Sequence, residues 1–194
     1  MSYVRNLILV APRAFLLYVI VAMCSPQAWS ADEPVKTAIG ATSIKCDDTG
    51  HIFELCRDQG QVYSEAFHRA KAEKKTLVVI FGAEWCPWCV SLHKILGEPQ
   101  FGRKLAREYV LADIAVYQGK EKLASGESVL QKIQEQAHYT KKIDGIPILV
   151  LVNPRNKKTV ILDTAPLEKN TKTRKGHDPK KVLAALKKAT RKLR

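Results

Sequence analysis

Cys86 and Cys89 form a Cys-x-x-Cys pair in the run Phe-Gly-Ala-Glu-Trp-Cys-Pro-Trp-Cys, directly after a continuous apolar segment. At the start of a helix, unpaired backbone N–H groups and the helix dipole favour the thiolate of the first cysteine. The second cysteine, one turn later, lies close enough to close a disulfide. The pattern therefore predicts thiol-disulfide chemistry, with Cys86 as the nucleophile and Cys89 as the more buried resolving thiol.

Metal binding is the main chemical alternative for such a pair. Structural zinc sites need about four ligands, and this chain has one Cys-x-x-Cys pair without a second. The remaining candidate ligands lack a matching spacing and are interpreted as surface or packing histidines: they are His68, His93, His138 and His177. The sequence thus predicts no bound metal and no other cofactor.

Apolar periodicity indicates the elements that position the pair. Helical spacing predicts helices over residues 62–75, from the cysteine motif to about residue 97, over 101–108, near 129–137 and from about 182 to 189. Apolar runs predict strands at 77–81, 109–117, 148–152 and 160–162, whereas residues 166–179 are expected to form a polar loop. This order predicts an α/β fold in which helices flank a mixed central sheet.

The run from Phe81 to Cys89 resembles the strand-to-helix signature of the thioredoxin superfamily, especially its periplasmic thioredoxin-like members. A second match is Gly145-Ile146-Pro147 before an apolar strand, where the family places a cis-proline loop that faces the redox pair. Together with these two motifs, the resemblance to the superfamily extends over about residues 62–192. It implies a thioredoxin-like fold and a protein thiol-disulfide oxidoreductase.

The resemblance also implies roles for residues beside the two cysteines. Trp85 and Trp88 are expected to offer a substrate-binding surface, and Ile146 and Pro147 are expected to bind the substrate backbone. The alternative for each tryptophan is packing alone, and the alternative for Pro147 is an ordinary trans turn.

One departure from the family pattern concerns proton transfer. Thioredoxin carries a buried aspartate just before the position of Phe81, and this chain has Ile80 there. Glu84 is the candidate proton relay through water, although a carboxylate at this position is also explained by surface charge.

Two other functions compete with the oxidoreductase. Thioredoxin-like folds can deliver copper with a cysteine pair and a histidine, so a periplasmic copper-binding or copper-delivery protein is the alternative. A binding module that keeps the fold without catalysis is the third hypothesis, and the intact cysteine pair speaks against it.

Residues 1–30 have the composition of a signal peptide. Arg5 and Arg13 precede or interrupt an apolar stretch that ends at Met23, and Ala28 and Ser30 place small residues at a cleavage site after Ser30. The alternative is an uncleaved anchor, which needs about 20 apolar residues. We therefore expect a periplasmic or otherwise exported protein whose Cys24 is removed with the signal.

The mature chain is expected to consist of an N-terminal arm at residues 31–61 and a thioredoxin-like domain at 62–194. Cys46 and Cys56 lie in the arm and are separated by nine residues. Export to an oxidising compartment favours a structural disulfide between them, whereas a second redox relay is the alternative.

The net charge of +13 is spread along the chain rather than concentrated in a nucleic-acid motif. We interpret it as a solvated basic surface, with contact to an acidic envelope surface or partner as the alternative. The expected partners are protein thiols or disulfides of the cell envelope and an electron-transfer partner, without nucleic acid.

Overall fold

The computed structural model describes residues 48–169 and 176–194, except for the side chain of Lys104. These residues fall within one compact unit. The helices are α1 (Gln59–Ala72), α2 (Pro87–Gly97), α3 (Pro99–Glu108), α4 (Ala124–Gln136) and α5 (Pro179–Lys192). The strands are β1 (Thr76–Gly82), β2 (Tyr109–Ala115), β3 (Tyr117–Gln118), β4 (Glu121–Lys122), β5 (Ile148–Val152) and β6 (Thr159–Asp163).

The main sheet has the strand order β2-β1-β5-β6. β1 runs parallel to β2 and antiparallel to β5, and β5 runs antiparallel to β6. A parallel pair needs a crossover connection, and α2 and α3 supply it between β1 and β2. The sequence-based prediction of an α/β fold with a mixed central sheet is confirmed.

Side chains of the central strands alternate between two buried layers because successive residues of a strand point to opposite faces. On one face, Leu77, Val79 and Phe81 pack with residues of α1 and α4. On the other face, Val78 and Ile80 pack with residues of α2, α3 and α5. β1 is therefore covered on both sides, as its uninterrupted apolar sequence predicts.

The first helix begins three residues before the predicted start at Val62. Asp58 is its N-cap, and the side chain accepts a hydrogen bond from the Gln61 backbone N–H at 3.0 Å. Gln59 is fully buried, and its amide bridges the Glu54 and Arg57 carbonyls and the Ala115 N–H. The apolar pattern missed this turn because its polar residues are held by hydrogen bonds rather than by apolar packing.

The predicted strand over 109–117 ends earlier, at Ala115. The parallel register ends at the pair Gly82 and Ala115, because β1 turns there into the cysteine loop. The chain then leaves the sheet and forms the small β3–β4 hairpin, in which Tyr117 pairs with Lys122.

Part of the predicted polar loop at 166–179 is ordered against the domain. Ala165–Leu167 form a 3₁₀ turn, and Glu168 bridges to His177. Leu167 and His177 are buried.

None of the helices in the described part of the chain has the length and hydropathy needed to span a bilayer.

Candidate functional site

Cys86 and Cys89 are joined by a disulfide at the N-terminus of α2, with their Cα atoms 5.2 Å apart. Cys86 is the N-cap residue, and its sulfur accepts a hydrogen bond from the Cys89 backbone N–H at 3.2 Å. Pro87 occupies the first turn, where its missing N–H costs no intrahelical bond. The first thiol therefore sits where the helix terminus stabilises a thiolate.

Both cysteines are buried in the disulfide, Cys86 at 3% and Cys89 at 0% exposure. The contrast in exposure is thus smaller than the sequence-based assignment supposes. The two sulfurs differ in their position on α2. Cys86 is the N-cap residue, whereas Cys89 lies inside the first turn. Both belong to a buried cluster with Phe53, Ala83 and Ala115.

The Gly145-Ile146-Pro147 loop lies against this disulfide. The Ile146–Pro147 peptide bond is cis, and the Ile146 carbonyl oxygen lies 3.8 Å from Cys86 Sγ. Thr164, which follows β6, donates its hydroxyl to the Pro147 carbonyl at 2.7 Å. A backbone carbonyl is thereby held beside the sulfur of the proposed nucleophile.

The two tryptophans of the motif occupy different environments. Trp85 is 56% exposed and packs edge-on against Tyr117, with ring centroids 5.8 Å apart. Trp88 is half-buried and packs on the cluster that contains the disulfide. The exposed aromatic ring beside the disulfide is therefore that of Trp85, and the partly buried Tyr117 supports it. Sequence reasoning missed Tyr117 because it was assigned to the preceding strand.

Residues 48–58 of the predicted arm pack into the domain at the redox pair. Phe53 is fully buried against Ala83 and both cysteines. Glu84, which immediately precedes Trp85, accepts hydrogen bonds from the backbone N–H groups of Ile52 and Phe53 at 3.1 and 3.3 Å. This carboxylate therefore attaches the segment to the redox loop, the short connection between β1 and α2 that carries Glu84, Trp85 and Cys86.

A histidine of α2 forms a hydrogen bond with a carboxylate of the neighbouring strand β2. His93 Nδ1 of α2 lies 3.1 Å from Asp113 Oδ2 of β2. The hydrogen bond to Asp113 raises the pKa of His93, and partial burial offsets part of that rise. Sequence reasoning assigned His93 to surface or packing and did not single out Asp113, although a carboxylate inside an otherwise apolar strand is a usable signal.

His177 lies against the other side of α2. It is fully buried, and its backbone N–H donates to the Ser91 hydroxyl at 3.2 Å. Burial lowers the pKa of His177, and Glu168 and the backbone of Trp88 offset part of this decrease.

Cys56 is disulfide-bonded. Cys46 lies outside the described residues, as do the predicted signal peptide and Cys24, so the pairing of Cys46 with Cys56 stays a prediction. Among the described residues, no group of three or more histidine, cysteine, aspartate or glutamate side chains is arranged to hold a metal ion.

A family model for a thioredoxin-like domain matches residues 63–162, just over half of the chain. Two relatives are each 39% identical to this chain over 62 residues: anterior gradient protein 2-B of Xenopus laevis and anterior gradient protein 2 of Xenopus tropicalis. Each match covers 32% of this chain and 37% of the relative's own length.

Solved structures that resemble the chain include a disulphide isomerase from Xylella fastidiosa Temecula1, with 24% identity and a TM-score of 0.45 over 57% of this chain and 76% of that one. A thioredoxin from Thermus thermophilus has 20% identity and a TM-score of 0.45, over 68% of this chain and 85% of that one.

Proposed function

Because the chain belongs to the thioredoxin-like domain family, we propose that it is a thiol-disulfide oxidoreductase that exchanges disulfides with exported proteins. The observation that carries the proposal is the Cys86–Cys89 disulfide, which caps α2 and has the Ile146 carbonyl 3.8 Å from Cys86.

The reaction begins from the reduced pair. The Cys86 thiolate attacks one sulfur of a substrate disulfide, forms a mixed disulfide and releases the other substrate sulfur as a thiolate, which takes up a proton. Cys89 then loses its proton and attacks Cys86 Sγ, so that the second substrate thiol leaves and the enzyme disulfide closes. A dithiol electron-transfer partner reduces the enzyme again, and the reverse sequence oxidises a substrate dithiol.

Substrate would lie across the disulfide between two surfaces. Trp85 offers an exposed ring on one side, and the Ile146-Pro147 loop offers a backbone carbonyl on the other. An extended substrate segment can pair its backbone N–H with such a carbonyl, while its flanking side chains pack on the ring. Trp88 is half-buried and packs on the cluster that contains the disulfide, and its substrate-binding role stays a prediction.

Replacing single cysteines tests the roles of the two sulfurs. Cys89→Ser should accumulate mixed disulfides, because Cys86 can still attack substrate but nothing displaces it. Cys86→Ser should accumulate few, since Cys89 lies inside the first turn rather than at the N-cap, where the helix terminus stabilises a thiolate. Non-reducing gels and mass spectrometry after acid quenching measure the products, and the Cys86→Ser/Cys89→Ser double variant is the control. Equal trapping by both single variants would contradict the assignment.

Export is part of the same proposal. We expect cleavage after Ser30, because Ala28 and Ser30 satisfy the small-residue requirement of signal cleavage. N-terminal sequencing of the protein recovered from the envelope measures the site. Recovery of residues 1–30 still attached in the membrane fraction would contradict cleavage and support an anchor.

A further inference from the structure

His93 and Asp113 form a side-chain pair that the exchange reaction described above does not use. Asp113 Oδ2 lies 3.1 Å from His93 Nδ1, and its other oxygen, Oδ1, is buried without a hydrogen-bond partner among the described residues. A carboxylate only accepts hydrogen bonds, so the contact places the hydrogen on Nδ1. Nε2 is then the basic nitrogen of the ring, and the His93 side chain is 40% exposed.

Helix geometry brings His93 to the same face of α2 as Cys89. The two residues are four apart, a spacing at which Cβ atoms on a helix lie about 5–6 Å from each other. Side chains of a helix also lean toward its N-terminus, which turns the imidazole toward the cysteine. One water molecule can bridge a gap of this size.

Sheet register places Asp113 at the same location. A Cβ on Gly82 would lie 2.8 Å from Cys89 Sγ, so the cysteine sits over the end of β1. Gly82 pairs with Ala115, and Asp113 lies two residues earlier on the same face of β2. Asp113 pairs with Ile80, so a carboxylate of the neighbouring strand stands beside this apolar side chain.

Glu84 and His51 are further titratable groups in this region. The negative charge of Glu84 raises the pKa of His93 through space. Glu84 Oε1 lies 3.5 Å from His51 Nδ1. The Glu84 oxygens accept the Ile52 and Phe53 N–H groups, which holds them in a structural contact. His93 therefore combines an available basic nitrogen, a fixed orientation and a position near Cys89.

We propose that His93 accepts the proton of the Cys89 thiol in the resolving step and that Asp113 is a positioning residue for its ring. The inference rests on the proposed exchange function and deepens it. The Cys89 S–H bond breaks, its proton moves to His93 Nε2 directly or through one water, and the resulting thiolate attacks Cys86 Sγ. The substrate sulfur leaves with the electron pair of the broken S–S bond and receives the proton from the imidazolium.

The experiment separates the two chemical steps with 5,5′-dithiobis(2-nitrobenzoate). The full chain is reduced at Cys86 and Cys89 with one equivalent of a dithiol, and alkylation with mass spectrometry verifies that Cys56 stays oxidised. Stopped-flow absorbance then shows a first release of nitrothiobenzoate on attack by Cys86 and a second on resolution by Cys89. Both rates are measured from pH 6 to pH 9.

His93→Asn is the informative variant, because the asparagine amide can still donate to Asp113 but is not a base. We expect an unchanged first phase and a second phase slowed about 100-fold near pH 7, the lower end for general base catalysis. The deficit should shrink toward pH 9, where hydroxide increasingly replaces the imidazole as the acceptor of the thiol proton. Added imidazole should partly restore the second phase.

Asp113→Asn should slow the same phase less and shift its pH midpoint downward, since the hydrogen bond that His93 donates to Asp113 raises the pKa of His93. His68→Gln on the exposed side of α1 is the matched control and should change neither phase. Equal slowing of both phases by His93→Asn, or an unchanged second phase at every pH, would overturn the proton-transfer role. Failure of the parent protein to show either phase would instead overturn the proposed exchange function.

Discussion

At the scale of single residues, the site is tightly packed around Gly82. A Cβ at this position would lie 2.7 Å from Phe53 Cζ and 2.8 Å from Cys89 Sγ. Neither neighbour can retreat easily, because Phe53 and Cys89 are both fully buried. The glycine thus allows β1, the N-terminal segment and the resolving cysteine to meet at one point.

Gly82→Ala is expected to lower the free energy of unfolding by about 1–3 kcal/mol, as overpacking of a well-filled core does. Urea denaturation measures the change. Gly97→Ala is the matched control, because a Cβ there meets nothing within 4 Å and alanine favours a helix. That control should be unchanged or slightly more stable. An unchanged free energy of unfolding in Gly82→Ala would show that the crowding is relieved without cost, and an equal loss in both variants would show that the crowding is not its cause.

At the scale of elements, the redox loop is fastened to the segment that precedes α1. Glu84 receives the Ile52 and Phe53 N–H groups, and Asp48 receives the Cys56 N–H at 3.1 Å. Gln59 links the same segment to β2 through the Ala115 N–H at 2.8 Å. The described part of the predicted arm is therefore a component of the redox site.

Glu84→Ala should loosen this attachment and destabilise the protein by about 1–3 kcal/mol, because partly buried N–H groups lose their acceptor. Hydrogen exchange at the Ile52 and Phe53 amides should accelerate more than exchange in β5. Glu121→Ala, in the exposed β4 strand, is the control and should leave these amides unchanged. Protection that persists at Ile52 and Phe53 in Glu84→Ala would contradict the anchoring role.

At the scale of the whole molecule, two histidines beside α2 are expected to change stability with pH in opposite directions. The folded pKa of His177 is lowered by burial, so the unfolded chain binds its proton more readily. Stability from this group is complete above the unfolded pKa of about 6.5 and is lost as the pH falls below it. His93 has a raised pKa and acts in the opposite direction, since its contribution is complete at low pH and is lost as the pH rises through the folded value.

His177→Phe should therefore flatten the decline in unfolding free energy between pH 7 and pH 5. One proton accounts for a slope of at most about 1.4 kcal/mol per pH unit, which limits the size of the effect. Urea denaturation at each pH measures the slope, and His68→Phe, at an exposed position, should leave it unchanged. A parent-like slope in His177→Phe would show that the buried ring does not control acid sensitivity.

The sequence by itself determined the order of the main helices and strands and the redox pair, but it did not predict the small β3–β4 hairpin. β1 and β5 are predictable because a strand that is buried on both faces has a continuous apolar sequence, without alternating polar residues. The spacing of Cys86 and Cys89 is equally informative, because the pair needs only one helical turn to meet. The polar first turn of α1 and the end of β2 escaped prediction, since hydrogen bonds to distant residues and the length of the neighbouring strand decide them.

Only the tertiary structure decided which distant side chains lie around the disulfide and around His93. Phe53, Asp113 and Tyr117 lie on different elements from the cysteines, and no local spacing records their approach. Glu84 was predictable as a carboxylate beside the motif, but its backbone partners become visible only when residues 52 and 53 fold over the loop. Contacts between residues far apart in the chain depend on strand register and helix placement, which the fold as a whole sets.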